Sequence, residues 1–172
     1  MTKHYMQYSS PLGPFYLLSD GDALIFSGFE TQLPPFFKDE KYASSHNLKV
    51  FIDAKNWLDN YFDKKDPGEL PPFKFIEGTD FQKSVWQELI NIPYRELRTY
   101  KQIGEAVKKT LKKDKVSYRA VGHAVGQNPL SIFVPCHRVI GSNNSLVGYA
   151  GGLHLKEALL QLEGRSLDKF KR

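Results

Sequence analysis

The chain is poor in cysteine. One thiol, Cys136, occurs in 172 residues. No disulfide can close within the chain, which suits a reducing compartment. A zinc site built from several thiolates is excluded as well. The five histidines, at 4, 46, 123, 137 and 154, have no paired ligand spacing, so no structural metal is expected. Long apolar runs are also missing: nothing approaches the twenty or so residues that cross a bilayer. The stretch from Met1 to Pro11 lacks the apolar core of a secretory signal. A cytoplasmic protein is the expectation. Acidic residues are outnumbered, 19 against 24 Lys plus Arg, for a formal charge of +5. A basic excess suggests a polyanionic partner, although many basic proteins bind none.

What is present is an ordinary globular composition, 41% hydrophobic and 25% charged. The first third alternates like strands: 4–8, then the turn Ser10-Pro11-Leu12-Gly13-Pro14, then 15–18, a tight turn at Ser19-Asp20-Gly21-Asp22, and 23–26. This reads as an antiparallel meander. Residues 31–47 read as loop. Residues 50–62 have helical periodicity, with Phe51, Ala54, Trp57, Leu58 and Phe62 on one face. Asp66-Pro67-Gly68 and Pro71-Pro72 then punctuate the chain. The expected organisation is an N-terminal α+β domain, 1–75, and a mostly helical C-terminal domain, 76–172.

In the second part, Thr79 is placed to cap a helix with Gln82 as its capping-box partner, and Pro93 bounds it. Thr99 caps a helix over 100–110, and Ser117 caps another over 118–125 that ends at Gly126. A last helix spans about 154–163 and stops at Gly164. The pair 100–110 and 118–125 reads as a helix-turn-helix, in a winged-helix-like α+β fold. Lys101, Lys108, Lys109, Lys112, Lys113, Lys115 and Arg119 crowd this region against only Glu105 and Asp114. Such lysines either contact phosphates or simply solvate a loop. The connector is also longer than the three or four residues typical of the motif.

The segment Ile132-Phe133-Val134-Pro135-Cys136-His137-Arg138-Val139-Ile140 reads as an apolar, strand-like run that delivers the thiol beside a histidine and an arginine. A thiol reacts as its thiolate, which nearby basic groups favour. His137 can accept the proton; Arg138 can add positive potential or anchor the loop. A buried, inert cysteine is the competing reading. Neighbours on a strand point to opposite faces, so contact between Cys136 and His137 needs a turn or a bridging water.

This segment resembles the active-site signature of the O6-alkylguanine-DNA alkyltransferases. The resemblance extends in order over about residues 78–164. It includes Ile92-Pro93-Tyr94 with Arg98-Thr99-Tyr100, then Arg119-Ala120-Val121-Gly122, Asn128-Pro129, Gly148-Tyr149-Ala150-Gly151-Gly152 and Lys156-Glu157-Ala158-Leu159-Leu160. The first 75 residues are only generally similar to that family's variable N-terminal domain.

The resemblance implies irreversible transfer of a methyl or larger alkyl group from the 6-oxygen of guanine, or the 4-oxygen of thymine, to Cys136. Each molecule acts once, as a methylated-DNA–protein-cysteine methyltransferase, and needs no cofactor. His137, through a water, takes the thiol proton, and Glu157 orients His137. Tyr100 gives a proton or hydrogen bond to the departing guanine. The Ala150 N–H binds the guanine oxygen, carbonyls near Cys136 and Val139 read its amine, Tyr149 walls the pocket, and Asn128 locks the cysteine loop. Arg119 fills the stack left by the flipped base. Ala120 and Gly122 allow close approach to the minor groove, while Lys115 and Arg138 contact DNA. The implied partner is duplex DNA carrying alkylated guanine, bound by a monomer without a protein partner. A relative that binds without repairing, a cysteine hydrolase, and a regulator with a reactive cysteine are the alternatives. Arg95, standing where the family often has glycine, and the long connector depart from the pattern.

Overall fold

The computed structural model describes residues 2–39 and 41–172. The chain divides into two compact units: Met1–Ile76 with Pro129–Phe133, and Glu77–Asn128 with Val134–Arg172.

In the first unit, strands β1 (Lys3–Ser10), β2 (Gly13–Ser19) and β3 (Leu24–Phe29) form the antiparallel meander. Gly13 and Gly21, both at positive φ, provide the two reversals. The loop expected at 31–47 is more structured than its sequence indicates. It holds a one-turn helix α1 (Phe36–Asp39) and a strand β4 (Tyr42–Ser44) that pairs parallel to β1, giving the order β3-β2-β1-β4. Three residues are too few to leave an alternation pattern, so this strand is fixed by its tertiary partner.

Helix α2 (Lys49–Phe62) buries Phe51, Ala54, Leu58 and Tyr61 completely. Tyr61, rather than the expected Phe62, continues the spacing of three and four residues. It stacks on Trp57 at 5.6 Å between ring centroids.

The edge of β3 is covered by Pro129–Phe133, which the sequence reading had placed in the second domain. Ser27 N–H donates to Pro129 O at 3.0 Å, Ser131 N–H donates to Ser27 O at 3.0 Å, and Ser27 Oγ donates to Ser131 O at 2.8 Å. The Phe133 ring lies 4.7 Å from Trp57. An uncovered strand edge exposes unpaired backbone groups, and here every residue of β3 is buried. The run is not a continuous strand. It makes bridge pairs at Leu130 and Ser131 and then turns, with Ile132 at φ +73°. A buried β-branched residue in that region is strained.

The second unit is built on α3 (Asp80–Ile90), α4 (Tyr100–Thr110), α5 (Tyr118–Gly126) and α6 (Leu153–Leu162). A short parallel pair, β5 (Arg98–Thr99) with β6 (Val139–Ile140), accompanies them. Capping boxes open α3 at Thr79/Gln82 and α4 at Thr99/Gln102, and Ser117 Oγ accepts from Ala120 N–H at α5. Val85, Trp86 and Leu89 of α3 pack with Ile103 and Val107 of α4 and Val121, Ala124 and Val125 of α5 in the core. Trp86 Nε1–H donates to Ala124 O at 2.8 Å, tying α3 to α5. Among the described residues, no helix is long and apolar enough to cross a membrane.

Candidate active site and DNA-facing helix

Pro135 ends the apolar run, and Cys136–Arg138 form a single 3-10 turn. The sequence reading required a turn or a water to bring the thiol and the imidazole to one side, and the turn is present. Asn128 closes the base of this loop from six residues upstream: its Nδ2–H donates to Val134 O at 2.8 Å. The chain leaves the second unit after Asn128 and returns at Val134, so this bond joins the two ends of the excursion.

Cys136 lies at a cavity of about 70 Å³ lined by Tyr100, Gly122, Val125, Gly126, Gly148, Tyr149 and Ala150. It keeps 6% of its surface exposed. Burial pushes the thiol pKa up. A hydrogen bond from Asn128, the nearby Lys156 charge and the backbone N–H groups of the turn oppose that rise without cancelling it. Tyr100 is pushed up to about 12, by burial first and the neighbouring Cys136 second. It therefore stays a phenol at neutral pH and can donate. Its OH donates to Val147 O at 3.0 Å.

Behind the thiol, His137 and Glu163 are sealed from solvent and joined through His137 Nε2 and Glu163 Oε2. Burial lowers the His137 pKa, while Glu163 pulls it back up. The imidazole is thus neutral at pH 7 and able to take a proton. Nε2 is engaged by Glu163, so a proton from the thiol would enter the ring at Nδ1.

The Glu163 carboxylate also accepts from Arg138 Nε at 2.7 Å and from the Arg95 N–H at 3.1 Å. Arg95 Nε donates to Glu163 O at 2.9 Å. Arg95 holds φ +69°, and its side chain clamps the end of α6. The residue that replaces the common glycine therefore sits on the support of the histidine.

Three expectations are corrected. Glu157 does not orient His137; it pairs with Arg172 at 2.9 Å, on the other side of α6. The buried stripe of that helix is Leu155, Lys156, Leu159, Leu160 and then Glu163. That spacing carries Glu163 onto the core face and turns Glu157 off it, a signal present in the sequence. Arg138 does not face DNA. It is 5% exposed, held by Glu163 and by Ile92 O at 3.0 Å, beneath the Tyr94 ring. Val139 O is not an open acceptor. Lys156 Nζ donates to it at 2.5 Å, to Val147 O at 2.9 Å and to Gly148 O at 3.1 Å.

Lys156, to which the resemblance assigned no role, belongs to the same cluster. It is fully buried, and burial lowers its pKa to about 8 even though Cys136 opposes the fall. Only its position on the apolar stripe of α6 hinted at this.

The remaining residues lie outward. Arg119 and Ala120 are exposed on α5, and Lys115 is exposed on the connector before it. Arg119, Ala120 and His123 border an open cavity of about 450 Å³ with an apolar floor that includes Phe81 and Ala124. Gly122 faces the cysteine cavity instead, where a Cβ would lie 4.0 Å from the Tyr100 ring.

The model of the 6-O-methylguanine DNA methyltransferase DNA-binding domain matches residues 80–165, and the model of that family's ribonuclease-like domain matches residues 3–71. The chain belongs to this family. It is 43% identical to the methylated-DNA–protein-cysteine methyltransferase of Methanosarcina acetivorans, over 94% of this chain and 98% of that one. Among solved structures it is similar to the Mycobacterium tuberculosis O6-methylguanine methyltransferase, with a TM-score of 0.79 and 37% identity over 94% and 93% of the two chains. It is equally similar to Mycobacterium tuberculosis OGT in complex with DNA, with a TM-score of 0.79 and 35% identity over 97% and 94%. The α+β architecture is that of the family.

Proposed function

We propose that the chain repairs DNA by moving an alkyl group from the 6-oxygen of guanine to Cys136. The observation that carries this reading is the only thiol of the chain at a small cavity, beside a histidine held by a buried carboxylate. The thiol is raised, so it must lose its proton as it attacks. His137 Nδ1 takes that proton through a water, and Glu163 stabilises the imidazolium that results. Sγ forms a bond to the alkyl carbon, the carbon–oxygen bond breaks, and its electron pair stays with guanine. Tyr100, kept as a phenol, donates to the leaving base, because a neutralised guanine departs more easily than an anion. A thioether is a poor leaving group, so each molecule acts once.

Lys156 adds positive charge behind the sulfur and ties down Val147 and Gly148, the start of the loop that carries Tyr149 and Ala150 to the cavity. The Ala150 N–H serves the guanine oxygen and Tyr149 walls the base.

The target base must leave the duplex to reach this cavity, at a cost of a few kcal/mol. Arg119 enters the vacated stack, while Ala120 keeps the exposed face of the helix slim enough for the minor groove and Gly122 leaves room on the cavity side. Lys115 meets the phosphates. The same reading has a cytoplasmic monomer acting on duplex DNA without a protein partner. Lesions at the 4-oxygen of thymine fall within its chemistry.

The test is incubation with duplex DNA carrying O6-methylguanine. The peptide containing Cys136 should gain one methylene unit in mass, and Cys136→Ser should gain none. No mass gain in a protein that still binds the duplex would make this a binding-only relative. Repeated turnover of an ester would make it a hydrolase.

A further inference from the structure

The connector between α4 and α5 gathers exposed positive charge on a braced turn. Helix α4 ends in a Schellman motif: Lys113 N–H donates to Lys108 O at 3.0 Å, and Lys112 N–H donates to Lys109 O at 3.2 Å. The left-handed position of this motif, at φ +52°, is filled by Lys112. Glycine adopts that conformation without penalty, whereas a side chain bearing a Cβ is strained in it. Helix α2 ends in the same motif with Lys64 at φ +60°, so a left-handed lysine alone marks no site; what sets Lys112 apart is its surroundings.

That side chain lies in a cationic row. Lys109, Lys112, Lys113 and Lys115 are all exposed, with Asp114 the only acid between them. Among the described residues, none of the four has an ion-pair partner. Lys108, by contrast, is bound at 2.9 Å to Glu105. Glu105 also accepts from Tyr118 Oη at 2.5 Å, and the Tyr118 ring lies over Gly104, where a Cβ would come within 2.7 Å. Tyr118 is the first residue of α5 and precedes Arg119. The contact Lys108–Glu105–Tyr118 therefore fastens both ends of the connector. Its unpaired lysines are held on a braced loop that runs directly into the DNA-facing helix.

We propose that this connector is a second DNA contact. In it Lys109, Lys112 and Lys113 bind backbone phosphates of the duplex beyond the groove entered by α5. This rests on the reading that α5 meets DNA. It adds a sequence-independent hold at a distance from the cysteine cavity. Duplex DNA is the occupant favoured because the row is continuous with Arg119 and Lys115 and because four unpaired cations match an unbroken line of phosphates. Each phosphate neutralised releases counterion, so the slope of log affinity against log salt should steepen by about 0.9 per contact.

The experiment measures that slope with an undamaged duplex for the wild-type chain, for a triple variant and for a control of equal charge. The triple variant is Lys109→Gln with Lys112→Gln and Lys113→Gln. The control is Lys38→Gln with Lys49→Gln and Lys64→Gln, in the N-terminal unit. The triple variant should flatten the slope by about two to three and the control by less than one. A change below one in the triple variant, or an equal change in the control, overturns the proposal.

Lys112→Gly separates charge from fold. Its urea midpoint should hold or rise, because the left-handed penalty is relieved, while its affinity for DNA falls several-fold. A risen midpoint with unchanged affinity would make Lys112 a poor cap and nothing more, which also overturns the proposal. A wild-type chain that shows neither salt-dependent binding nor methyl uptake sinks the repair reading instead.

Discussion

Two groups of cations lie within the C-terminal unit, and they differ in nearly every physical respect. Arg138 and Lys156 are buried, at 5% and 0% exposure, and their contacts are internal: a carboxylate, two rings and four carbonyls. Arg119 and the connector lysines are exposed. A buried charge without partners is very costly, so it persists only where the fold satisfies it. An exposed charge costs little and contributes little to stability. The first group can therefore position reacting groups, and the second can meet a phosphate. The two are mixed along the sequence, and Arg138 and Arg119 look alike there.

The sharpest way to break this division is at the carboxylate that serves the buried group. Glu163→Gln should lower the single-turnover methyl-transfer rate by a hundred-fold or more, since His137 loses the charge that stabilises its protonated form. It should also destabilise by about 3 kcal/mol, because Arg138 is left buried against a neutral amide. Rapid-quench kinetics and urea unfolding read the two effects separately. A rate within five-fold of wild type would show that His137 needs no partner.

The two arginines provide the next comparison. Arg119→Ala should reduce transfer ten- to a hundred-fold at limiting duplex, because the extruded base is no longer replaced in the stack, and should leave the urea midpoint unchanged. Arg138→Ala should do the reverse in stability, with a loss of about 3 kcal/mol from the uncompensated Glu163 and the emptied volume. If both variants shifted the midpoint alike, burial would not be what separates them.

Lys156 sharpens the comparison through pH. Its pKa is about 8 in the folded chain against 10.5 as an ordinary lysine. Below about pH 8 it is charged in both states, and the full burial cost weighs on the folded one. Between about 8 and 10.5 the unfolded chain binds the extra proton, so this cost is relieved and stability rises with pH. The limit is about 3 kcal/mol, at about 1.4 kcal/mol per pH unit. Transfer should move the other way. Loss of the charge beside Cys136 removes support for the thiolate, so the rate should fall above about pH 8. Lys156→Met should lack that alkaline fall and be several-fold slower at pH 7. An alkaline limb unchanged in the variant would assign it to another group.

Much of this was legible in the sequence for a definite reason. The caps at Thr79, Thr99 and Ser117, the meander, and the succession ending in Pro135-Cys136-His137 are local signals, each carried by a few adjacent residues. What failed to show depends on distant partners. Strand β4 exists only through β1, and Pro129–Phe133 joins the first unit only because the edge of β3 is there to be covered. The choice between Glu157 and Glu163 was readable from helical spacing, since Leu155, Leu159 and Leu160 define the buried face of α6. Glu157 lies inside a segment that resembles the family, and that adjacency, unlike the spacing, carries no information about which face a carboxylate takes. Arg138 was misplaced for a related reason: adjacency to the thiol says nothing about which way a side chain turns out of a 3-10 turn.

The smallest effect is the one that tests this reasoning most directly. Glu157→Gln removes an ion pair with Arg172 in which the arginine side chain is 66% exposed and the carboxylate 16%. A pair whose cation stands in water contributes about 1 kcal/mol or less and is screened by salt. Glu157 lies off the buried stripe of α6 that leads to Glu163, the carboxylate that holds His137. The variant should transfer methyl within two-fold of wild type, with an unchanged pH profile and a urea midpoint shifted by less than about 1 kcal/mol. A loss approaching that of Glu163→Gln would mean that His137 changes partners during the reaction, and it would return Glu157 to the site from which the folded geometry removes it.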